Sequence, residues 1–138
     1  MGEAIKTVAI IQARMGSTRL PGKVMEVVHG KRIIDWVIER VKKATCVDEI
    51  CLAIPYTKEN DVLQKVAEEH DIDWCVRGPD QDVLDRFVRA AKVTKADTIV
   101  RVTADCPMID PDVICQVHAD RLAGDKMYPY VSTSENWP

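Results

Sequence analysis

A doubly wound α/β fold, with a mostly parallel sheet and helices on both faces, is what this sequence predicts. Three observations carry that reading. Short apolar, β-branched runs alternate four times with amphipathic stretches at helical spacing. The first run, "TVAIIQ", lacks polar alternation, which suits a strand buried on both faces. The two most unusual loops, 13–23 and 103–109, follow the first and fourth runs. A doubly wound sheet can make those strands neighbours across its ligand crevice.

The elements follow in chain order. A strand is expected over 7–12, then a loop to residue 23. Ile33, Ile34, Val37, Ile38 and Val41 recur at helical spacing, with Asp35, Glu39, Arg40 and Lys43 on the opposite side. A second strand over 49–54 is closed by Pro55. The polar stretch "YTKEN" leads to a helix through Val62, Leu63, Val66 and Ala67. A short third strand is expected over 73–76. Val83, Leu84, Phe87, Val88 and Ala91 mark a third helix, opening near Asp82 and leaving Asp85 and Arg86 on its surface. The fourth strand is expected over 98–102. In "TADCPMIDPDVI", Asp110 makes an N-cap, Pro111 takes the first helical position, and Gly124 is a suitable stop. The tail, 125–138, reads as irregular, with a short strand near 130–132. Trp36, Trp74 and Phe87 lie in apolar-periodic elements and are expected to pack in the core. No repeat or linker divides the chain, so 1–138 is read as one domain.

Composition narrows the function classes. With 46% apolar and 30% charged residues, the chain has the make-up of a soluble globular protein. A net charge of −3 argues against a general nucleic-acid binder. Residues 12–32 nevertheless hold five bases (Arg14, Arg19, Lys23, Lys31, Arg32) against one acid, Glu26. A positive island on an acidic body suits a compact anionic ligand. The five cysteines, at 46, 51, 75, 106 and 115, have no CxxC spacing. They are expected to be mostly buried, reduced thiols of a cytoplasmic protein. The N-terminal region shows no signal-like or membrane-spanning apolar segment, so no membrane partner is expected.

The stretch "IIQARMGSTRLPGK" nearly spells a phosphate-cradling loop. The Walker pattern fails, because five residues rather than four separate Gly16 from Gly22 and Val24 follows Lys23. No G-x-G-x-x-G is present either. The physical capability survives without the motif. Glycines let backbone N–H groups approach oxygens, arginine offers a fork matched to phosphate, and lysine offers a mobile charge. A solvated basic turn remains the alternative. Asp105 follows the fourth strand and is the candidate for a Mg²⁺ ion, a turn-capping aspartate being the other reading. In "RGPDQD", Gly78 would let a base approach while Arg77 or Gln81 reads its edge; a plain Gly-Pro turn remains as open.

The pattern A-R-x-x-S-[ST]-[RK]-L-P-x-K, met by Ala13, Arg14, Ser17, Thr18, Arg19, Leu20, Pro21 and Lys23, resembles the CMP-sugar-acid synthetases. These are the acylneuraminate and 3-deoxy-manno-octulosonate cytidylyltransferases. "RVTADCPMIDPDVI" is similar to the family's second block, and "GPDQDVLDRFVRAA" is closest to its spore-coat polysaccharide branch. The resemblance implies a Rossmann-like, nucleotide-diphospho-sugar-transferase-like sheet. It also implies transfer of CMP from CTP to a sugar acid or related sugar, with release of pyrophosphate, in glycan biosynthesis. By the same resemblance, Arg14 and Lys23 would be catalytic. Ala13, Arg14, Gly16, Ser17, Arg19, Lys23, Arg77, Gly78 and Asp105 would bind nucleotide, and Asp105 would hold Mg²⁺. Cys106 stands where octulosonate enzymes usually carry glutamate. Family members are usually much longer, so the C-terminal half of the family fold is expected to be missing. That half would contain the acceptor site, the homodimer contacts and a second metal-binding aspartate. A UTP or dTTP enzyme, or a catalytically silent nucleotide-binding module, remains the alternative.

Overall fold

A computed structural model describes residues 4–124 and 130–132. Its sheet has four parallel strands, β1 (Thr7–Gln12), β4 (Glu49–Pro55), β5 (Trp74–Gly78) and β6 (Thr98–Thr103), in the order β5-β4-β1-β6. A two-stranded ribbon, β2 (Val27–Val28) and β3 (Lys31–Arg32), precedes α1 (Ile33–Lys42). The remaining helices are α2 (Asp61–Glu69), α3 (Val83–Thr94) and α4 (Pro111–Ala123). The expected strands and helices form, β5 beginning one residue later and ending two residues later than the sequence suggested. The ribbon was not foreseen, because two-residue strands leave no periodicity. Residues 130–132 form no strand; the rest of the expected tail lies outside the described residues.

The apolar strands split their side chains between two layers because successive residues face opposite ways. Ala9, Ile11, Ile50, Leu52 and Ile54 pack with Ile34, Val37, Ile38, Val41, Leu63, Val66 and Ile114 from α1, α2 and α4. Val8, Ile10, Cys51 and Ala53 face Ala90 and Phe87 of α3. Helices therefore cover both faces, as alternation implied. Asp110 caps α4 by accepting the Asp112 N–H at 2.8 Å, with Pro111 at the first helical position and Gly124 at the stop.

Several side chains sit elsewhere than their spacing suggested. Asp35 is buried rather than solvated. It accepts from the Arg32 guanidinium at 2.7 and 2.8 Å and meets His70 Nε2 at 2.7 Å. The buried stripe of α3 is rotated: Arg86, Ala90 and Thr94 face inward, while Leu84 and Val88 are exposed. Trp74 lies on edge strand β5, remains 37% exposed and donates its indole N–H to Glu49. Trp36 is half-buried over the ribbon, donating to the Val28 carbonyl at 2.8 Å beneath Lys31, so only Phe87 packs as expected. Of the cysteines only Cys51 is fully buried. Cys75 on the edge strand and Cys106 in the loop after β6 are exposed.

Candidate active site

Residues 13–23 leave the sheet at the C-terminal end of β1. Ala13 is still held by the ladder, its N–H donating to the Ala53 carbonyl at 3.1 Å and its methyl buried in the core. The chain then turns away and folds back. Gly22 closes the loop, donating to the Met15 carbonyl at 2.8 Å. Its φ of 71° is left-handed, a conformation that costs any residue with a Cβ. Asn60, fully buried, accepts the Met15 N–H at 2.9 Å and donates to the Thr57 hydroxyl at 2.7 Å. It ties the loop to the segment after β4. The sequence reading missed Asn60, since one polar residue within "YTKEN" carries no pattern.

This closure leaves the middle of the loop open-handed. Among the described residues, the backbone N–H groups of Gly16, Ser17, Thr18 and Arg19 have no acceptor. Ser17 Oγ accepts the Leu20 N–H at 3.3 Å, and its own hydroxyl proton stays available. Arg14 and Arg19 are exposed and form no ion pair among the described residues. Four consecutive open donors and two unpaired guanidinium groups within residues 14–19 are chemically suited to an anion, with one acid, Glu59, close to Gly16.

Across this loop stands Asp105. Strand β6 pairs with β1 in parallel from Thr7↔Thr98 to Gln12↔Thr103, so the loops after both strands emerge together. Lys23 Nζ lies 2.9 Å from Asp105 Oδ2, each side chain 41% exposed. The Lys23 bond holds the Asp105 carboxyl below its ordinary pKa; partial burial opposes this and Thr103 assists it. The carboxylate is therefore ionised at neutral pH and able to hold a cation. The exposed Cys106 thiol lies 3.1 Å from the Thr103 hydroxyl and 3.7 Å from Asp105 Oδ1. Arg101, another residue beside this loop, stacks over Phe87 at 5.7 Å on the α3 face.

The loop after β5 leaves the sheet at the same end. Arg77 does not point into it: its guanidinium is held by Asp61 at 2.7 Å, Gln64 at 3.0 Å and the Tyr56 carbonyl at 3.3 Å. Gly78 has a packing reason of its own. A Cβ there would come within 2.6 Å of Arg86 Cγ. Arg86, read from sequence as a surface residue, has no exposed area and donates to the carbonyls of Pro79 at 2.8 Å and Asp80 at 3.0 Å. Burial lowers its pKa, with Asp80 opposing and the nearby Arg14 adding to the shift. Asp82 caps α3 by accepting the Asp85 N–H at 2.9 Å. The structure thus gathers Arg14, Gly16, Ser17, Arg19, Lys23 and Asp105 at one end of the sheet. It ties the Arg77 side chain to Asp61 and Gln64 of α2.

Comparison with known proteins shows the family and the fold. The chain is 38% identical over 122 residues to the spore coat polysaccharide biosynthesis protein SpsF of Bacillus subtilis (strain 168), covering 81% of this chain and 49% of that protein. It superimposes with a TM-score of 0.83 and 31% identity on a cytidylyltransferase from Leptospira borgpetersenii serovar Hardjo-bovis, covering 89% of this chain and 51% of that one. A CMP:2-keto-3-deoxy-manno-octonic acid synthetase solved with CTP matches with a TM-score of 0.68 and 29% identity, over 84% of this chain and 47% of that one. The chain therefore spans about half the length of these relatives. The sequence pattern of the family described as Cytidylyltransferase runs through residues 8–136, and the chain belongs to that family.

Proposed function

We propose that this chain binds CTP at the loop spanning 13–23 and forms the nucleotide half of an enzyme that transfers CMP to a sugar acid or related sugar. One observation carries the reading: among the described residues the 13–23 loop holds four unpaired backbone donors and two unpaired arginines, and its Lys23 pairs with Asp105 at the C-terminal ends of β1 and β6. The relative solved with CTP supports cytidine as the nucleoside, and SpsF supports a role in polysaccharide assembly.

In this reading the donors of 16–19, with Arg14 and Arg19, take the phosphate oxygens. Lys23 leaves Asp105 for the triphosphate and steadies the charge that grows on the leaving pyrophosphate. Asp105, freed from Lys23, fits a divalent cation of the Mg²⁺ type. Such an ion accepts one carboxylate and fills its shell from phosphate and water. When bound, the cation would supply charge neutralisation. The acceptor hydroxyl oxygen forms a bond to the α-phosphorus, the bond to the β-phosphate oxygen breaks, and the hydroxyl proton passes to solvent. Chemistry of this kind rests on positioning and electrostatics, with no covalent enzyme intermediate. Gly78 and its loop would receive the base, through the backbone rather than the Arg77 guanidinium. Acceptor recognition and homodimer contacts are assigned to the part of the relatives beyond this match. Five unpaired thiols suit a reducing, cytoplasmic setting, and no helix among the described residues is long and apolar enough to cross a membrane.

Pyrophosphate release in the presence of CTP, Mg²⁺ and a panel of acidic sugars tests the activity. Release that depends on both CTP and one acceptor supports the proposal. CTP binding without release leaves a nucleotide-binding module, and no binding of any nucleoside triphosphate removes the assignment.

A further inference from the structure

We propose that Arg86 is a positioning residue that sets the preference for cytosine over uracil. This inference rests on the CTP-binding reading above. Arginine almost never sits fully buried without a carboxylate partner, because removing its charge from water is costly. Arg86 is buried with no carboxylate in hydrogen-bond contact, Asp80 and Asp82 acting on it only at longer range: its Nη1 donates to the carbonyls of Pro79 and Asp80, while Nε and Nη2 are buried with no partner among the described residues. Gly78 leaves the space that its stem occupies.

What Arg86 does to the loop follows from peptide geometry. In a trans peptide the C=O and the following N–H point in opposite directions, and the described chain has no cis bond. Drawing the Pro79 and Asp80 carbonyls onto Arg86 turns the N–H groups of Asp80 and Gln81 away from it. Neither N–H has an acceptor among the described residues. Arg86 thereby leaves two successive backbone donors open in the loop after β5, at the same end of the parallel sheet as the 13–23 loop. Two such donors could also attract a phosphate, but the loop and the first turn of α3 carry three acids, Asp80, Asp82 and Asp85, which disfavour an anion there. Arg14 and the 13–23 loop offer the phosphates a better place. A neutral ligand edge with two adjacent acceptors fits instead. Cytosine presents N3 and O2 as adjacent acceptors, whereas uracil carries a proton on N3 that would meet an N–H head-on. Mispairing of that kind leaves a buried polar group unsatisfied and discriminates strongly.

The test compares CTP and UTP binding by calorimetry for the wild-type chain, Arg86→Met and Arg86→Lys, with the melting temperature of each. Methionine removes both carbonyl bonds while filling a similar volume, and lysine keeps a charge but not the fork. The wild type should prefer CTP by about tenfold or more. In Arg86→Met that ratio should collapse toward one, through weaker CTP binding, the melting curve showing that the variant is folded. Arg86→Lys should fall between. In the wild type, the Asp80 and Gln81 amide resonances should move on adding CTP and stay nearly still on adding UTP. Equal losses of CTP and UTP affinity, or an unchanged ratio, would overturn the role of Arg86 while leaving the nucleotide site standing. A wild-type chain that binds neither nucleotide would overturn the site and this inference together.

Discussion

Lys23 and Asp105 form a half-exposed ion pair, and such pairs add little to stability, roughly 0–1 kcal/mol. Lys23→Ala should therefore melt within a few degrees of the wild type yet bind CTP at least about tenfold more weakly, the loss of one charge-assisted contact. Calorimetry beside a melting curve checks both halves. Asp35 behaves oppositely. Burial alone would raise its pKa, but bonds from Arg32 and His70 overcome that and hold the carboxyl at about 2, below its ordinary 3.8. A depressed carboxylate stabilises the fold at pH values above its unfolded pKa, and the benefit fades as pH falls through the folded one. About 2 kcal/mol should thus vanish between pH 4 and 2, and Asp35→Asn should flatten that part of the denaturation-against-pH curve. Neither Asp35 nor Asn60 was legible as a buried polar residue. Asp35 lies beside the apolar stripe of α1, and its partner His70 comes 35 residues later. No local spacing encodes such a pairing.

At the scale of elements, the basic loop was legible because its chemistry is local: glycines, a proline and three cations after an apolar strand. The convergence of the β1 and β6 loops was legible because parallel crossover topology restricts where strands can lie. The face of α3 was misread for a physical reason. Apolar periodicity pointed to Leu84 and Val88, yet the helix is rotated so that Arg86 reaches the carbonyls after β5. Gly78 and Asn60 test the two loops separately. Gly78→Ala would force a Cβ to within 2.6 Å of Arg86 Cγ, and overpacking of this kind costs about 1–3 kcal/mol. Urea denaturation should register that loss. Asn60→Ala would leave the Met15 N–H without its acceptor, a loss of about 1–3 kcal/mol. It should also weaken CTP binding, since the clamp on the 13–23 loop is gone. Full CTP affinity in Asn60→Ala, measured by calorimetry, would show that the loop keeps its shape without the clamp.

For the whole molecule, the sheet acts as a frame that brings a basic and an acidic loop together at one end, where a triphosphate would be held. A ligand that binds only the folded chain stabilises it by mass action, by about 2.7 kcal/mol at a hundred times its dissociation constant. Pyrophosphate should compete with CTP, because both would use the donors of 16–19 and the cations around them. The most direct measurement is a calorimetric titration of CTP with Mg²⁺ into the wild-type chain and into Lys23→Ala, repeated with pyrophosphate present. Saturable single-site binding is expected, displaced by pyrophosphate and weakened at least about tenfold in the variant. Binding of equal strength in both chains, indifferent to pyrophosphate, would contradict the triphosphate site.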